Sequence, residues 1–269
     1  MRLMDTIVLA VGSVTVLGLL CAVMLAVASK VMAVEVDERV TGVRELLPGA
    51  NCGACGYSGC DGYAQALVDE EVMTNLCTPG GDKTSKEISA LLGLEAADVI
   101  ESFAVVFCTG DNAATQNRMD YSGIMTCAAA KQLYGGQGSC LFGCLGFGDC
   151  AAVCPMDAVC IENGLARIDR RRCNGCRLCT MACPNNVILM DYSESTAAVL
   201  CMNTEKGAVV RKKCTSGCIG CMRCVKSCPS EAIAMKENLA VVDQSKCTGC
   251  GLCTEVCNPK CIRIATVKC

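Results

Sequence analysis

The chain has 269 residues, a formal net charge of −3, and 28 cysteines but neither histidine nor tryptophan. Without histidine, the sequence excludes histidine-ligated haem, Rieske centres, Cys2His2 zinc sites and a histidine general base. Cysteine at this density usually indicates a disulfide scaffold in a short secreted protein. This chain is longer, and its cysteines fall at metal-ligand spacings, which predicts a reducing compartment. Only 3% of residues are aromatic, so bound metal groups are expected to contribute to folding.

The first predicted element is an uncharged apolar stretch over residues 7–29, which is long enough to cross a bilayer as a helix. A cleaved signal peptide is the alternative. Only Arg2 provides positive charge before the stretch, and the stretch is longer than the apolar core of a usual signal peptide, so a retained anchor over residues 1–29 is favoured. Arg2 precedes the stretch, whereas Lys30, Arg39 and Arg44 follow it closely. This bias predicts that the C-terminal side lies in the cytoplasm.

Residues 30–92 are predicted to form a small, mainly helical domain that carries one cluster. The motif GANCGACGYSGC and a later cysteine supply four candidate ligands, Cys52, Cys55, Cys60 and Cys77. Glycines between them let the backbone approach a bulky ligand closely. We expect a [4Fe–4S] cluster here, with structural zinc as the alternative. Residues 93–126 are expected to connect this domain to the rest, and their single Cys108 suits either packing or ligation.

From Cys127 onward the cysteines repeat with an offset of 74 residues, which predicts two tandem ferredoxin-like modules over residues 127–195 and 196–269. The second module has two runs of the bacterial ferredoxin pattern C-x2-C-x2-C-x3-C, in which the fourth cysteine of each run ligates the other run's cluster. One set is Cys218, Cys221, Cys224 and Cys257, and the other is Cys228, Cys247, Cys250 and Cys253. Each set is expected to hold a [4Fe–4S] cluster.

The first module has one complete ligand set and one interrupted set. The complete set is Cys154, Cys173, Cys176 and Cys179. Phe147 stands where the second module has Cys221, so the other site lacks its middle ligand. Cys140 is the expected substitute, which gives a set of Cys140, Cys144, Cys150 and Cys183. A three-iron cluster or no cluster at this site are the alternatives.

Five cysteines remain as candidate extra ligands: Cys108, Cys127, Cys201, Cys214 and Cys269. Twelve residues separate Cys127 from Cys140 and also Cys201 from Cys214, and this recurrence indicates that both pairs have a role. These cysteines suffice for a sixth cluster, although their spacing does not show which of them would share a site. Disulfides between them are the alternative, and a reducing compartment disfavours disulfides. About five clusters of charge near −2 would bring the net charge to roughly −13, so nucleic acid is not an expected partner.

The predicted fold class is α+β: an N-terminal transmembrane helix, a small helical 4Fe-4S domain, and two bacterial-type 2[4Fe-4S] ferredoxin-like modules. Short strands are expected directly before the later cysteine runs, over Ala166–Asp169 and Ala240–Asp243. No nucleotide-binding glycine motif and no catalytic acid, base or nucleophile is evident, which favours electron transfer. The alternatives are an electron-transfer subunit of a hydrogenase-like or corrinoid-linked membrane assembly, and a zinc-bearing scaffold.

The apolar start, the motif GANCGACGYSGC with Cys77, and the ferredoxin modules together resemble the B subunit of the Rnf electron-transport complex, an ion-translocating ferredoxin:NAD+ oxidoreductase. The two modules and the segment CLFGCLGFGDC resemble the long form found in clostridia and acetogens. The resemblance implies a single-pass protein of the cytoplasmic membrane with its clusters on the cytoplasmic side. It also implies that the protein accepts electrons from soluble ferredoxin and relays them to other Rnf subunits, with no catalytic residues of its own.

Ferredoxin is acidic, and so is this chain, so a docking patch for ferredoxin has to be locally basic. Arg170, Arg171 and Arg172 form such a patch beside the first module. They are the candidate ferredoxin dock, and an ordinary solvated face is the alternative.

Overall fold

The computed structural model describes residues 2–31, 37–70, 72–99, 102–191 and 196–264. The ligand role considered for Cys269 lies outside these residues. The first element is helix α1 (Arg2–Val31), which contains no proline and carries no charged residue between Asp5 and Lys30. Its stretch Val11–Lys30 is long and apolar enough to cross a membrane by length and composition, and none of that stretch is buried against the rest of the chain.

The N-terminal cluster domain consists of three helices, α2 (Glu38–Leu46), α3 (Cys60–Asp69) and α4 (Gly81–Leu92). Their apolar faces meet in a core that contains the fully buried side chains of Val43, Tyr63 and Ile88 together with cysteines. Helix α4 ends at Gly93, whose left-handed backbone terminates the helix in the usual way. The three helices thus hold the loop that carries the GANCGACGYSGC motif.

The first module is a set of short elements around a small core. In chain order these are β1 (Phe103–Val106), α5 (Cys127–Gln132), α6 (Asp149–Ala152), β2 (Val159–Glu162), β3 (Leu165–Ile168), α7 (Leu178–Ala182) and β4 (Ile188–Asp191). Strands β2 and β3 form an antiparallel hairpin. Strand β1 pairs antiparallel with β4, from Phe103–Asp191 to Val106–Ile188. The segment expected to connect two domains therefore supplies a strand to the first module.

The second module repeats this arrangement. Its elements are β5 (Ala197–Val199), α8 (Gly207–Lys213), α9 (Arg223–Ser227), β6 (Ile233–Lys236), β7 (Leu239–Val242), α10 (Leu252–Glu255) and β8 (Ile262–Ile264). Strands β6 and β7 form a hairpin whose register equals that of β2 and β3 after a shift of 74 residues, and β5 pairs with β8 as β1 pairs with β4. The strands expected before the later cysteine runs are thus present.

Cysteines form a large part of the interior of both modules. The core of the second module contains Cys218, Cys224, Cys253, Cys257 and Cys261 among small aliphatic side chains, and the first module has the same character. Such cores bury little apolar surface for their size, so the free energy of metal binding is expected to contribute to folding.

Candidate metal centres

The four cysteines of the N-terminal domain lie close together around the end of the motif loop. Burial raises the pKa of Cys77 to about 11, and the neighbouring thiols of the other three cysteines add to the rise. The Asn51 side-chain oxygen accepts the Cys60 backbone N–H at 2.9 Å. The Tyr63 hydroxyl donates to the Met73 carbonyl at 2.7 Å and so holds the segment that carries Cys77 against α3. The four residues that this arrangement brings together are Cys52, Cys55, Cys60 and Cys77.

The complete ligand set of the first module is also assembled. Burial raises the pKa of Cys179 to about 12, and the thiols of Cys173, Cys176 and Cys154 add to the rise. The backbone N–H of Ala158 donates to the Cys154 sulfur at 3.3 Å. Amide donors of this kind stabilise a thiolate and tune the potential of a cluster bound to it.

The interrupted set of the first module differs from the expectation. Burial raises the pKa of Cys150 to about 12, and the thiols that add to this rise include those of Cys144, Cys127 and Cys183. These four cysteines also line a common cavity. Cys140 does not line this cavity, whereas Cys127 lies in it beside Cys144, Cys150 and Cys183. The ligand role expected for Cys140 stays a prediction, and the structure offers Cys127 as the candidate in its place.

The reason for this difference is a capping interaction that spacing does not reveal. Asp149 accepts the backbone N–H groups of Cys127 and Ala128 at 2.8 and 2.9 Å, which fixes the start of α5 directly beside Cys150. Phe147 occupies the position of the absent ligand, and its ring packs on Tyr121 with centroids 5.6 Å apart. The segment before α5 thus covers the aromatic residue, while α5 delivers the fourth thiol.

Both ligand sets of the second module come together. Burial raises the pKa of Cys224 to about 11, with contributions from the thiols of Cys218, Cys221 and Cys257. Burial likewise raises the pKa of Cys253, with contributions from Cys247, Cys250 and Cys228. The structure thus groups these thiols as the ferredoxin spacing predicts, and the binding of a cluster by each set stays a prediction.

Cys261 lies beside one of these sets although no spacing rule gives it a role. Its side chain is 1% exposed, and its sulfur is 3.7 Å from that of Cys257. A hydrogen bond with the Cys261 thiol lowers the pKa of both Cys218 and Cys257. The first module has Val187 at the equivalent position, so it has no counterpart of the Cys261 thiol there.

Four further cysteines line one cavity between the two modules: Cys108, Cys140, Cys201 and Cys214. Cys108 follows β1, and burial raises its pKa to about 12, with contributions from the thiols of Cys144 and Cys140. Cys127 is therefore separated from the three other candidate extra ligands that the structure describes. The equal spacing of Cys127–Cys140 and Cys201–Cys214 does not reflect equal positions in space.

The thiol sets are neighbours of one another. The Cys52 thiol adds to a rise in the pKa of Cys176 that is caused chiefly by burial, so the N-terminal set lies next to the complete set of the first module. That contact is made where the Gly175 backbone passes so close to Ser102 and Thr78 that no larger residue would fit. Within the first module, the Cys179 thiol likewise contributes to the raised pKa of Cys150.

The three arginines of the candidate ferredoxin dock differ in their surroundings. The Arg170 guanidinium lies over the Phe103 ring, 3.8 Å from its centroid, a cation–π contact that holds it against the module. Arg171 and Arg172 are exposed. Only these last two therefore present their charges fully to a partner.

The chemistry of these sites fits [4Fe–4S] clusters. Each is lined by four thiols, and backbone N–H groups point at several of the sulfurs. Glycines occur where the backbone is crowded: a Cβ at Gly146 would collide with the Gly164 carbonyl group.

Cysteine sets of this kind on paired ferredoxin-like hairpins define a multi-centre iron–sulfur protein. Comparison with known families agrees. Residues 47–79 match the family described as "Putative Fe-S cluster", and residues 172–233 and 217–261 match two families described as 4Fe-4S dicluster domains.

Similar proteins extend over almost the whole chain. The B subunit of the Na(+)-translocating ferredoxin:NAD(+) oxidoreductase complex of Acetobacterium woodii is 40% identical over 97% of this chain and 78% of its own length. The B subunit of the proton-translocating ferredoxin:NAD(+) oxidoreductase complex of Clostridium ljungdahlii is 41% identical over 96% and 91%. The B subunit of the ion-translocating oxidoreductase complex of Methanosarcina acetivorans is 37% identical over 92% and 94%. The chain belongs to this family, the B subunits of the Rnf-type ion-translocating oxidoreductase complexes.

Proposed function

We propose that the chain is the membrane-anchored iron–sulfur protein that accepts electrons from reduced ferredoxin and relays them within an ion-translocating ferredoxin:NAD+ oxidoreductase. The observation that carries this proposal is the series of adjacent four-thiol sites that extends from the N-terminal domain into the first module. Clusters bound there would supply one-electron carriers, and the protein would contribute ligands, amide donors and burial. The other subunits of the complex would then receive the electrons.

Five clusters follow from the sites within the individual domains. The N-terminal set, the complete set of the first module and both sets of the second module each hold one. The fifth is held by Cys127, Cys144, Cys150 and Cys183, with Cys127 in place of the ligand that Phe147 removes. The cavity between the modules is additional to these five.

Iron and sulfide analysis of anaerobically prepared protein tests this proposal directly. We expect brown protein with about four irons and four sulfides for each cluster, and visible absorption that bleaches on addition of dithionite. A colourless, iron-free preparation that keeps its fold with zinc bound would instead establish the scaffold alternative. A brown protein that reduced ferredoxin fails to reduce would favour a different electron donor.

The domains on the C-terminal side of α1 are proposed to lie in the cytoplasm, where ferredoxin is found. Lys30 ends the apolar stretch, and Arg39 and Arg44 follow on α2, as the positive-inside rule requires. Antibody labelling of a peptide tag inserted after Val31, from each side of sealed membrane vesicles, tests this orientation. Labelling from the outer side of right-side-out vesicles would contradict it.

The ferredoxin dock is proposed at the exposed pair Arg171 and Arg172, with Arg170 held beside them on Phe103. Positive charge at this place would steer an acidic partner toward the neighbouring Cys173 and Cys176 centre. Reversing both charges in R171E/R172E should slow electron uptake from reduced ferredoxin about tenfold at low salt and flatten its salt dependence.

The chain supplies a matched control for this experiment. Arg211 and Lys212 are exposed on α8 of the second module, so R211E/K212E makes the same change in net charge elsewhere. Uptake in this control should stay close to that of the parent chain. Equal slowing in both variants would show a general charge effect and remove the dock from Arg171 and Arg172.

A further inference from the structure

Besides Cys144, which is assigned to the leading site of the first module, two cysteines of each ferredoxin-like module line the cavity between the modules. These two pairs occupy equivalent positions. Cys140 corresponds to Cys214 by the 74-residue offset. Cys108 corresponds to Cys201 by strand register, because each follows the strand that pairs with the last strand of its module. The cavity is therefore lined by two copies of one structural pair.

Backbone hydrogen bonds support the equivalence of Cys108 and Cys201. The N–H of Phe107 donates to the Val187 carbonyl at 2.6 Å, and that of Leu200 donates to the Cys261 carbonyl at 2.7 Å. Phe107 and Leu200 precede the two cysteines directly, while Val187 and Cys261 are related by the 74-residue offset. The two chain segments thus enter the cavity in the same way, although 93 residues separate Cys108 from Cys201.

The sulfurs of Cys108 and Cys201 also receive equivalent hydrogen bonds. The backbone N–H of Cys144 donates to the Cys108 sulfur at 3.4 Å, and that of Cys218 donates to the Cys201 sulfur at 3.4 Å. Cys144 and Cys218 themselves belong to the leading site of their modules. The cavity is therefore joined to a neighbouring centre on each side by an amide group of one of that centre's own cysteines.

The contacts across the cavity run from one module to the other. The buried Asn203 side-chain nitrogen is 3.5 Å from the Cys140 sulfur and donates toward it. At the corresponding place in the other copy, a Cβ on Gly110 would lie 3.2 Å from the Cys214 sulfur and 3.7 Å from the Cys108 sulfur. Asn203 of one module and Gly110 of the other thus each lie beside a cysteine of the opposite module, as in a contact with two-fold symmetry.

We propose that Cys108, Cys140, Cys201 and Cys214 bind a sixth [4Fe–4S] cluster, shared equally by the two modules. The four thiols enclose one cavity, and N–H groups point at three of the four sulfurs. An all-thiolate site with amide donors suits an iron–sulfur cluster. This inference rests on the proposed electron-transfer function, and it gives the two modules a common centre.

The shared cluster completes a single ordered series of centres. The N-terminal centre is followed by that of Cys154 and Cys173, and then by that of Cys127 and Cys144. The shared centre comes next, between Cys144 and Cys218, and the two centres of the second module follow. In this order an electron that enters from ferredoxin at the first module reaches the second module through the shared site.

Metal content and intermodule electron transfer test the sixth site. The parent chain should contain about 24 irons and C108A/C201A about 20, because one four-iron cluster is lost. In stopped-flow reduction by ferredoxin, the double variant should still show rapid reduction of the centres in the N-terminal domain and the first module. It should lose rapid reduction of the two centres in the second module. C21S, which alters an exposed cysteine of α1, is the matched control. It should keep its full iron content and the rapid reduction of the centres in the second module.

The possible results separate this inference from the proposed function. Equal iron content in the parent chain and a folded C108A/C201A would overturn the sixth site and leave the relay in place. If the double variant does not fold, Mössbauer and iron analysis of the parent chain decide: about 24 irons support the shared cluster, and about 20 overturn it. Iron-free protein throughout would overturn the proposed function instead.

Discussion

The two ferredoxin-like modules share one cysteine frame but complete their leading site from different places. The second module takes Cys221 from within its own loop, whereas the first has Phe147 there and takes Cys127 from α5, anchored by Asp149. The fourth thiol of the leading site can therefore come from a different position in the sequence in each module. The second module in turn adds Cys261 where the first has Val187, so its leading site has an extra thiol neighbour.

The largest expected difference between the modules follows from removal of Cys127. C127A should lose about four irons, because it removes one of the four thiols assigned to the site. Phe147→Cys in the same chain should restore them, because it recreates the arrangement that the second module has at Cys221. Iron analysis and electron paramagnetic resonance of the reduced protein provide the measurement. Full iron content in C127A would contradict the four-cysteine set assigned to this site.

The two modules also differ in how closely the backbone packs at equivalent glycines, Gly146 in the first module and Gly220 in the second. Gly146 has φ +77° and no space for a side chain against Gly164, whereas a Cβ at Gly220 would lie 2.9 Å from the Asn238 carbonyl oxygen. Gly146→Ala should therefore destabilise its site by about 3 kcal/mol, and Gly220→Ala by less. The rate at which visible absorption is lost in guanidinium, followed for both variants, tests this. A faster loss in Gly220→Ala would reverse the expected order.

The third prediction concerns the anchor of α5. Asp149→Ala removes the acceptor for two backbone N–H groups, a change that costs about 1 kcal/mol at helix N-termini. Iron should leave one site roughly fivefold faster in the presence of a chelator, while the second module, which has Arg223 at this position, is unaffected. D120A alters an exposed carboxylate and is the control. Identical iron loss in both variants would mean that the cap does not hold Cys127.

The smallest expected effect concerns Cys261. A thiol hydrogen bond stabilises the additional negative charge of a reduced cluster, so C261A should lower the reduction potential of the leading centre of the second module. Val187→Cys should raise the potential of the corresponding centre in the first module. Potentiometric titration followed by electron paramagnetic resonance measures both shifts. Unchanged potentials in the two variants would assign Cys261 to packing alone.

The sequence was sufficient for the features that depend on local spacing. Runs such as Cys218 to Cys228 predict their own ligand exchange, because a tight loop brings its thiols together wherever it lies in the fold. The hairpin strands before Cys173 and Cys247 were predictable for the same reason, since the repeat places them in register. Relatives that match nearly the full chain confirm the family that the N-terminal motif indicated.

The remaining features depended on tertiary contacts. Cys127 and Cys140 are both close in sequence to Cys144, and only the Asp149 cap decides which of them reaches Cys150. Strand β1 is a short apolar run without alternation, which periodicity alone does not assign. The repeat does not reveal that Cys108 and Cys201 occupy equivalent positions in the two modules, because 93 residues separate them, whereas the other matching cysteines are 74 residues apart.

The symmetric cavity between the modules lies where the two halves of the protein also contact each other, so the proposed shared cluster would carry electrons at the place that holds the halves together. Thr109 donates to the Ser216 carbonyl at 3.1 Å, and the Thr215 N–H donates to Ala114 at 2.9 Å, so direct contacts between the halves also cluster there. A change at this point would therefore be expected both to interrupt electron transfer between the modules and to weaken the contacts that hold the modules together.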